Sequence, residues 1–297
     1  MVEYILGNYL VERGKLTKAQ LEDVLVKQDA TRVKMGLLAV SEGLMTIEQA
    51  EKVNKLQSVM DKRFGDIAVE KGYLTDTQIS SLLKKQGNSY LSFAQTLVNE
   101  NLLNLQELED LLDGFQQENG FSKSDMEDLR SDEPERIIPL FLPPEALCYK
   151  DSVGVLVRTL IRLVDRHAYI GKAEIKDEIT VVKGAFQKMD RFSVLLNGFR
   201  ELETGLVEGD GALSEITRIF CKESEALCDE DLLDAAGEFL NCINGLYFSA
   251  LSRNGMDSEL LPPNPVAVES VIVEQGVCVI PVYIKDKQAL FTIVGRK

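Results

Sequence analysis

Apolar positions along residues 1–116 recur with helical spacing, and the whole pattern then repeats at a longer interval. The segments "LGNYLVERGKLTKAQLEDVLVKQ" (6–28), "MGLLAVSEGLMTIEQAEKVNKLQ" (35–57), "FGDIAVEKGYLTDTQISSLLKKQ" (64–86) and "FAQTLVNENLLNLQELEDLLDGF" (93–115) align without gaps at a period of 29 residues. Gly7, Gly36, Gly65 and Ala94 fill one column. Gly14, Gly43, Gly72 and Asn101 fill a second, and Gln28, Gln57 and Gln86 a third. Each copy reads as a short helix ended by a C-cap glycine, where the chain needs a left-handed residue. Thr17, Thr46, Thr75 or Asn104 then starts a second helix as its N-cap. The expected product is an all-α stack of helical hairpins with Leu, Ile and Ala inside.

Between Gln117 and Pro144 the period is lost, and the stretch is acidic and proline-bearing, so a linker is expected over 117–144. Residues 145–297 have a different texture. "DSVGVLVRTLIRLVDRH" is an amphipathic helix, and "AYIGKAEI", "VVKGAFQ", "RFSVLLNGF" and "ETGLVEGD" are short β-type runs between turn residues. "GALSEITRIFCKES" is helical again. The last stretch, "NPVAVESVIVEQGVCVIPVYIKDKQALFTIVG", alternates in three runs bounded by "EQG" and "KDKQ", which predicts an antiparallel meander. Helices gathered beside an antiparallel sheet make an α+β domain, so the chain is α+β with an all-α repeat domain in front.

One helix in this second half stands out. "DLLDAAGEFLNCINGLYF" (231–248) is expected to bury Leu232, Ala235, Ala236, Phe239, Cys242, Ile243 and Leu246. Asp234, Glu238, Asn241 and Gly245 then form an outward stripe. Asn and Gly are poor helix-interior residues, Gly by about 1 kcal/mol against Ala. A carboxylate and a carboxamide one turn apart beside a glycine offer a flat surface that another protein can approach. The carboxamide both donates and accepts, so it can hold a water in one orientation.

Composition narrows the chemistry further. The 297 residues carry a formal net charge of −15, which opposes wrapping of DNA or RNA. Five cysteines without a CxxC pair point to reduced thiols in a cytoplasm, with no metal site. His167 has no catalytic company in the sequence and reads as structural. Arg158 and Arg162 interrupt the most apolar helical run, so no membrane insertion is expected. GxGxxG, Walker A, HExxH and GxSxG motifs are all missing.

The repeat pattern LGxxLxxxGxxxxxxLxxxLxxQ resembles the motif of MshEN domains, the N-terminal modules of type II secretion and pilus-assembly ATPases. Copy 1 matches at Leu6, Gly7, Leu10, Gly14, Leu21, Leu25 and Gln28. The resemblance implies a cyclic di-GMP site built from tandem copies: Leu6, Gly7, Gly14 and Gln28, then Lys34, Gly36, Gly43 and Gln57, then Arg63, Gly65, Gly72 and Gln86. That family begins its motif with Arg. Here the position holds Ile5, Lys34 and Arg63 in successive copies, and Ile cannot stack on or pair with a guanine as Arg does.

"DAAGEFLNCING" resembles the E-x-x-N signature of the CheC, CheX and FliY chemotaxis phosphatases, most of all the CheX branch with its single signature helix. The resemblance implies hydrolysis of the acyl phosphate on a CheY-like response regulator. Asn241 would orient the attacking water and Glu238 would pair with the regulator's lysine, with Asp234 and Gly245 at the docking face. It implies no cofactor in this chain, the magnesium being the regulator's, and a homodimer formed through sheet edges. The alternative is a non-enzymatic adaptor that binds a regulator or a secretion or pilus component.

Overall fold

The computed structural model describes residues 1–31, 33–57, 62–83, 88–193, 195–267 and 270–297. The chain divides into two compact units, Val2–Glu133 and Pro134–Lys297.

The first unit is helical. Its hairpins are α1 (Val2–Glu12) with α2 (Lys18–Lys27), α3 (Met35–Ser41) with α4 (Ile47–Gln57), α5 (Phe64–Glu70) with α6 (Asp76–Leu83), and α7 (Ser89–Asn99) with α8 (Leu105–Asn119). Gly14, Gly43 and Gly72 have φ near +65 to +69°, and Asn101 fills the same left-handed position at +54°. The second helices start with reciprocal side-chain caps. Thr17 pairs with Gln20, Thr46 with Gln49, Thr75 with Gln78 and Asn104 with Glu107, each satisfying amides that the first turn leaves open.

The hairpins do not form an open stack, because α7 packs on α1, α2 and α3. Copy four therefore closes onto copy one. Thr96 Oγ1 donates to Thr31 Oγ1 at 2.9 Å, Lys34 N donates to Gln95 Oε1 at 2.9 Å, and Tyr9 meets Phe115 edge-on at 5.1 Å. The boundary between the two units, Glu133/Pro134, falls inside the linker expected at 117–144, but that stretch is folded. The end of α8, α9 (Lys123–Arg130), α10 (Pro134–Ile137) and two 3-10 turns fill it. Ser122 caps α9 with Asp125, and Leu129, Ile137 and Ile138 are fully buried, so acidity and prolines served caps and helix starts.

The second unit is α+β, as expected. After α10 come α11 (Lys150–Leu163), β1 (Tyr169–Ile170), β2 (Glu174–Val181), β3 (Gly184–Asp190), β4 (Glu201–Asp210), α12 (Ala212–Phe220), α13 (Asp229–Arg253), β5 (Glu259–Leu260), β6 (Asn264–Val266), β7 (Ser270–Ile284) and β8 (Lys287–Arg296). The sheet runs β1-β7-β8-β4-β3-β5, with β2 also on β7 and β6 also on β3, and its ladders are antiparallel. Register places Ala185, Leu206, Phe291 and Ile280 in one row across β3, β4, β8 and β7, and Gln187, Thr204, Ile293 and Cys278 in the next. Those rows lie under α13, which packs on β3, β4, α11 and α12. The opposite face has its own apolar cluster of Ile179, Val181, Val207, Val277, Val279 and Val294.

Two strand expectations fail. "EQG" does not end a run: β7 passes through it with a bulge, Gly276 at φ +76° opposite Asp177, whose carboxylate accepts the Gly276 N–H at 3.1 Å. "RFSVLLNGF" is not a strand but a loop with one isolated Leu196–Phe199 bridge among its described residues. Among the described residues, no helix is long and apolar enough to cross a membrane.

Candidate functional site

α13 opens with Asp229, Glu230 and Asp231 in its first turn, where the helix N-terminus favours negative charge. Asp229 is paired with Lys183 at 2.6 Å and Asp231 accepts from the Cys228 thiol at 3.0 Å. These acids are accounted for by the helix end. Farther along, Asp234 and Glu238 are exposed and have no hydrogen-bond or ion-pair partner among the described residues. They border an open depression that also includes Cys221, Glu223, Glu225 and Cys228.

The buried arc of α13 is wider than the sequence suggests. Leu233, Gly237, Leu240, Asn244 and Tyr247 are buried as well, whereas Leu246 is 39% exposed and Cys242 only partly covered. The reason is that α13 has neighbours on several sides: β3 and β4 below, α11 and α12 alongside, and β6 near the "LPPNP" segment. Gly237 admits that segment, since a Cβ there would lie 3.2 Å from Pro263. Gly245, by contrast, is half-exposed with nothing within 4 Å of an added Cβ. Among the described residues, no packing constraint requires a glycine there.

Asn241 is half-buried, not fully outward, and its side chain is held from below. Gln187, 1% exposed on β3, donates from Nε2 to Asn241 Oδ1 at 2.7 Å and to the Leu261 carbonyl at 2.8 Å. Its Oε1 accepts from Asn244 Nδ2 at 2.8 Å, and Asn244 also donates to Thr204 Oγ1 at 2.8 Å. Gln187, Asn244 and Thr204 are the site residues that sequence reasoning missed. A signal for Gln187 existed: in "AFQKM" it alternates with Ala185 and Met189, so a polar residue occupies an inward strand position.

The arrangement offers a carboxylate and an amide N–H on one helix, with the amide oxygen held by Gln187. Among the described residues no cluster of His, Cys, Asp and Glu is placed to hold a metal ion. Cys278 is fully buried, and burial pushes its thiol up to about 12, so it stays protonated. His167 accepts from its neighbour Arg166 at 2.8 Å, away from α13 in the sequence.

The other candidate set lies in the repeats. Gly7, Gly36 and Gly65 are helix-contact positions where a Cβ would come within 2.3 Å of Leu21, 3.2 Å of Phe64 and 2.9 Å of Ile79. Gly14, Gly43 and Gly72 are the left-handed residues at the helix ends, Gly43 and Gly72 directly after the caps Glu42 and Lys71. Leu6 and Gln28 are buried, at 3% and 4% exposure. Lys34, Gln57 and Arg63 are exposed, and Gln86 lies outside the described residues. The repeated glycines are thus all occupied by packing or capping.

No family model matches the sequence, and no curated protein matches it. Solved structures do. A CheX chemotaxis protein from Desulfovibrio desulfuricans is 16% identical over 50% of this chain and 99% of its own, with a TM-score of 0.42. CheX from Vibrio vulnificus is 17% identical over 48% and 94%, with a TM-score of 0.38. A CheX–CheY–BeF3–Mg complex from Borrelia burgdorferi is 14% identical over 49% and 96%, with a TM-score of 0.37.

Proposed function

We propose that the unit spanning Pro134–Lys297 is a phosphatase acting on the aspartyl phosphate of a CheY-like response regulator. The observation that carries this reading is the pair on α13: Glu238, without a partner among the described residues, and, one turn on, Asn241 with its amide braced by Gln187. A polar side chain that reaches solvent normally samples several rotamers. Asn241 has been denied that freedom, as a group that must orient a water would be. Aspartyl phosphate is an activated acyl phosphate, so no nucleophile from this chain is needed. Water oxygen bonds to phosphorus, the phosphorus–carboxylate bond breaks with its electron pair returning to the aspartate, and the water proton leaves to solvent. Glu238 fixes the dock by pairing with the regulator's lysine, and the regulator brings its own magnesium.

The test is the decay of a CheY-like regulator phosphorylated with acetyl phosphate, with and without the full chain. Acceleration that is lost in Asn241→Ala, and weakened at subsaturating regulator in Glu238→Ala, is the expected result. Binding without acceleration would replace this reading by the adaptor. Cyclic di-GMP binding by the repeats is a separate proposal, resting on the motif resemblance and on exposed Lys34 and Arg63 in successive copies.

A further inference from the structure

We propose that Gln187 is a positioning residue for Asn241, fixing which end of its amide faces the partner; this deepens the phosphatase reading and rests on it. Asn and Gln amides have two ends of similar shape, and what settles their orientation is an outside group with only one hydrogen-bonding sense. Here that group is the Leu261 carbonyl. Leu261 N–H donates to the Lys188 carbonyl at 3.0 Å, which pins the segment against β3 and leaves its own carbonyl 2.8 Å from the Gln187 amide. A carbonyl only accepts, so Gln187 must turn Nε2 toward it.

The remaining orientations follow in sequence. With Nε2 committed, its second hydrogen reaches Asn241 at 2.7 Å, and Asn241 must answer with Oδ1. The Gln187 Oε1 then needs a donor, which is Asn244 Nδ2, fully buried and shared with Thr204. Turning the Asn241 amide over would set Nδ2 against Nε2, donor against donor. Its outward end is therefore the N–H pair, which has no partner among the described residues.

That polarity has a chemical consequence. An outward N–H occupies one lone pair of the attacking water and leaves the other free to point at phosphorus. An outward carbonyl would instead meet the water as an acceptor of one of its hydrogens. Gln187, being 1% exposed, does this without touching the substrate.

Three measurements on the full chain test the inference. Gln187→Met keeps length while removing both donors, and turnover of saturating phosphorylated regulator should fall at least tenfold. Affinity for the same regulator activated with beryllofluoride and magnesium should stay within twofold. Asn241→Asp keeps the inner acceptor but replaces the outer N–H with an oxygen, and should also lose turnover without losing fold. In wild type, hydrogen exchange followed by NMR should show the Gln187 side-chain amide protons protected and those of Asn241 exchanging freely. Wild-type turnover in Gln187→Met, or in Asn241→Asp, would overturn the inference, as would protected Asn241 protons. If Gln187→Met does not fold, the exchange measurement and Asn241→Asp decide. Loss of activity in Asn241→Ala with full activity in Gln187→Met removes this inference alone, whereas full activity in Asn241→Ala removes the phosphatase reading beneath it.

Discussion

Asn244 Nδ2 donates to Thr204 Oγ1 across 2.8 Å, joining the middle of α13 to the middle of β4 inside a buried layer. The same nitrogen holds Gln187 Oε1. Buried polar groups are inexpensive when paired and costly when orphaned. Asn244→Ala would leave Gln187 Oε1 without its donor and open a small void. Chemical denaturation should show a loss of about 2 kcal/mol. A loss under about 0.5 kcal/mol would mean that the network does not contribute as its geometry says.

Gly245 makes the opposite prediction. An added Cβ meets nothing within 4 Å, and the helix continues to Arg253 on ordinary geometry. Gly245→Ala should therefore raise stability by up to about 1 kcal/mol, the difference in helix propensity. Gly245→Gln should be as stable, yet increase the regulator concentration needed for half-maximal phosphatase activity at least tenfold, because its side chain stands where the partner approaches. Unchanged half-saturation would place the dock elsewhere on the helix.

The repeat and the network differ in how far the sequence reveals them. Glycine columns and the Thr or Asn helix starts are local: each needs only its own three or four neighbours, and the N-caps formed where the pattern placed them. Closure of copy four onto copy one was not legible, since it depends on contacts such as Thr31–Thr96, 65 residues apart. Glu238 and Asn241 stood out as a pattern on one helix. Their support did not, because Gln187 is 54 residues from Asn241 and acquires its meaning only from the Leu261 carbonyl. The 117–144 stretch misled for a related reason: Ser122 and Pro134 start helices as well as loops.

The repeat's second column gives a paired test. Gly14 sits at φ +65° and Asn101 at +54° at equivalent positions at a helix end, both in the left-handed region that a Cβ disfavours. Gly14→Ala should lower stability by about 1 kcal/mol. Asn101→Gly should be neutral or mildly stabilising, because Asn is the residue that tolerates this conformation next best. Thermal melts of the two variants moving in the same direction would contradict the shared cap geometry.

Glu215 supplies a pH signature. Arg218 grips it through two nitrogens, at 2.9 and 3.3 Å, and this hydrogen bonding holds its carboxyl below the ordinary value of 4.5. A carboxylate with a lowered folded-state pKa stabilises the fold above its unfolded value and loses that contribution as pH falls through the folded one. The stability difference between wild type and Glu215→Gln should thus be fully present above the ordinary carboxylate value and disappear as pH falls through the lowered folded-state value. A difference that grows on acidification would have the wrong sign.

Nucleotide binding by the repeats can be separated from their folding. Gly7 and Gly65 lie against Leu21 and Ile79, so substituting them acts on packing whatever ligand is present. Lys34 and Arg63 are exposed N-caps whose side chains make no cap hydrogen bond, so their removal should leave the melting temperature unchanged. If the resemblance of the motif extends to its ligand, calorimetric titration of the wild type with cyclic di-GMP should show binding. Lys34→Ala with Arg63→Ala should then abolish it, since a guanidinium and an ammonium are the groups available to meet phosphate and guanine. Gly7→Ala would instead melt earlier, with binding reduced only in proportion to the unfolded fraction. Absence of heat with the wild type would remove the nucleotide from this protein and leave the four hairpins as a protein-docking scaffold. Retained binding in the double variant would move the site off the motif's leading cations.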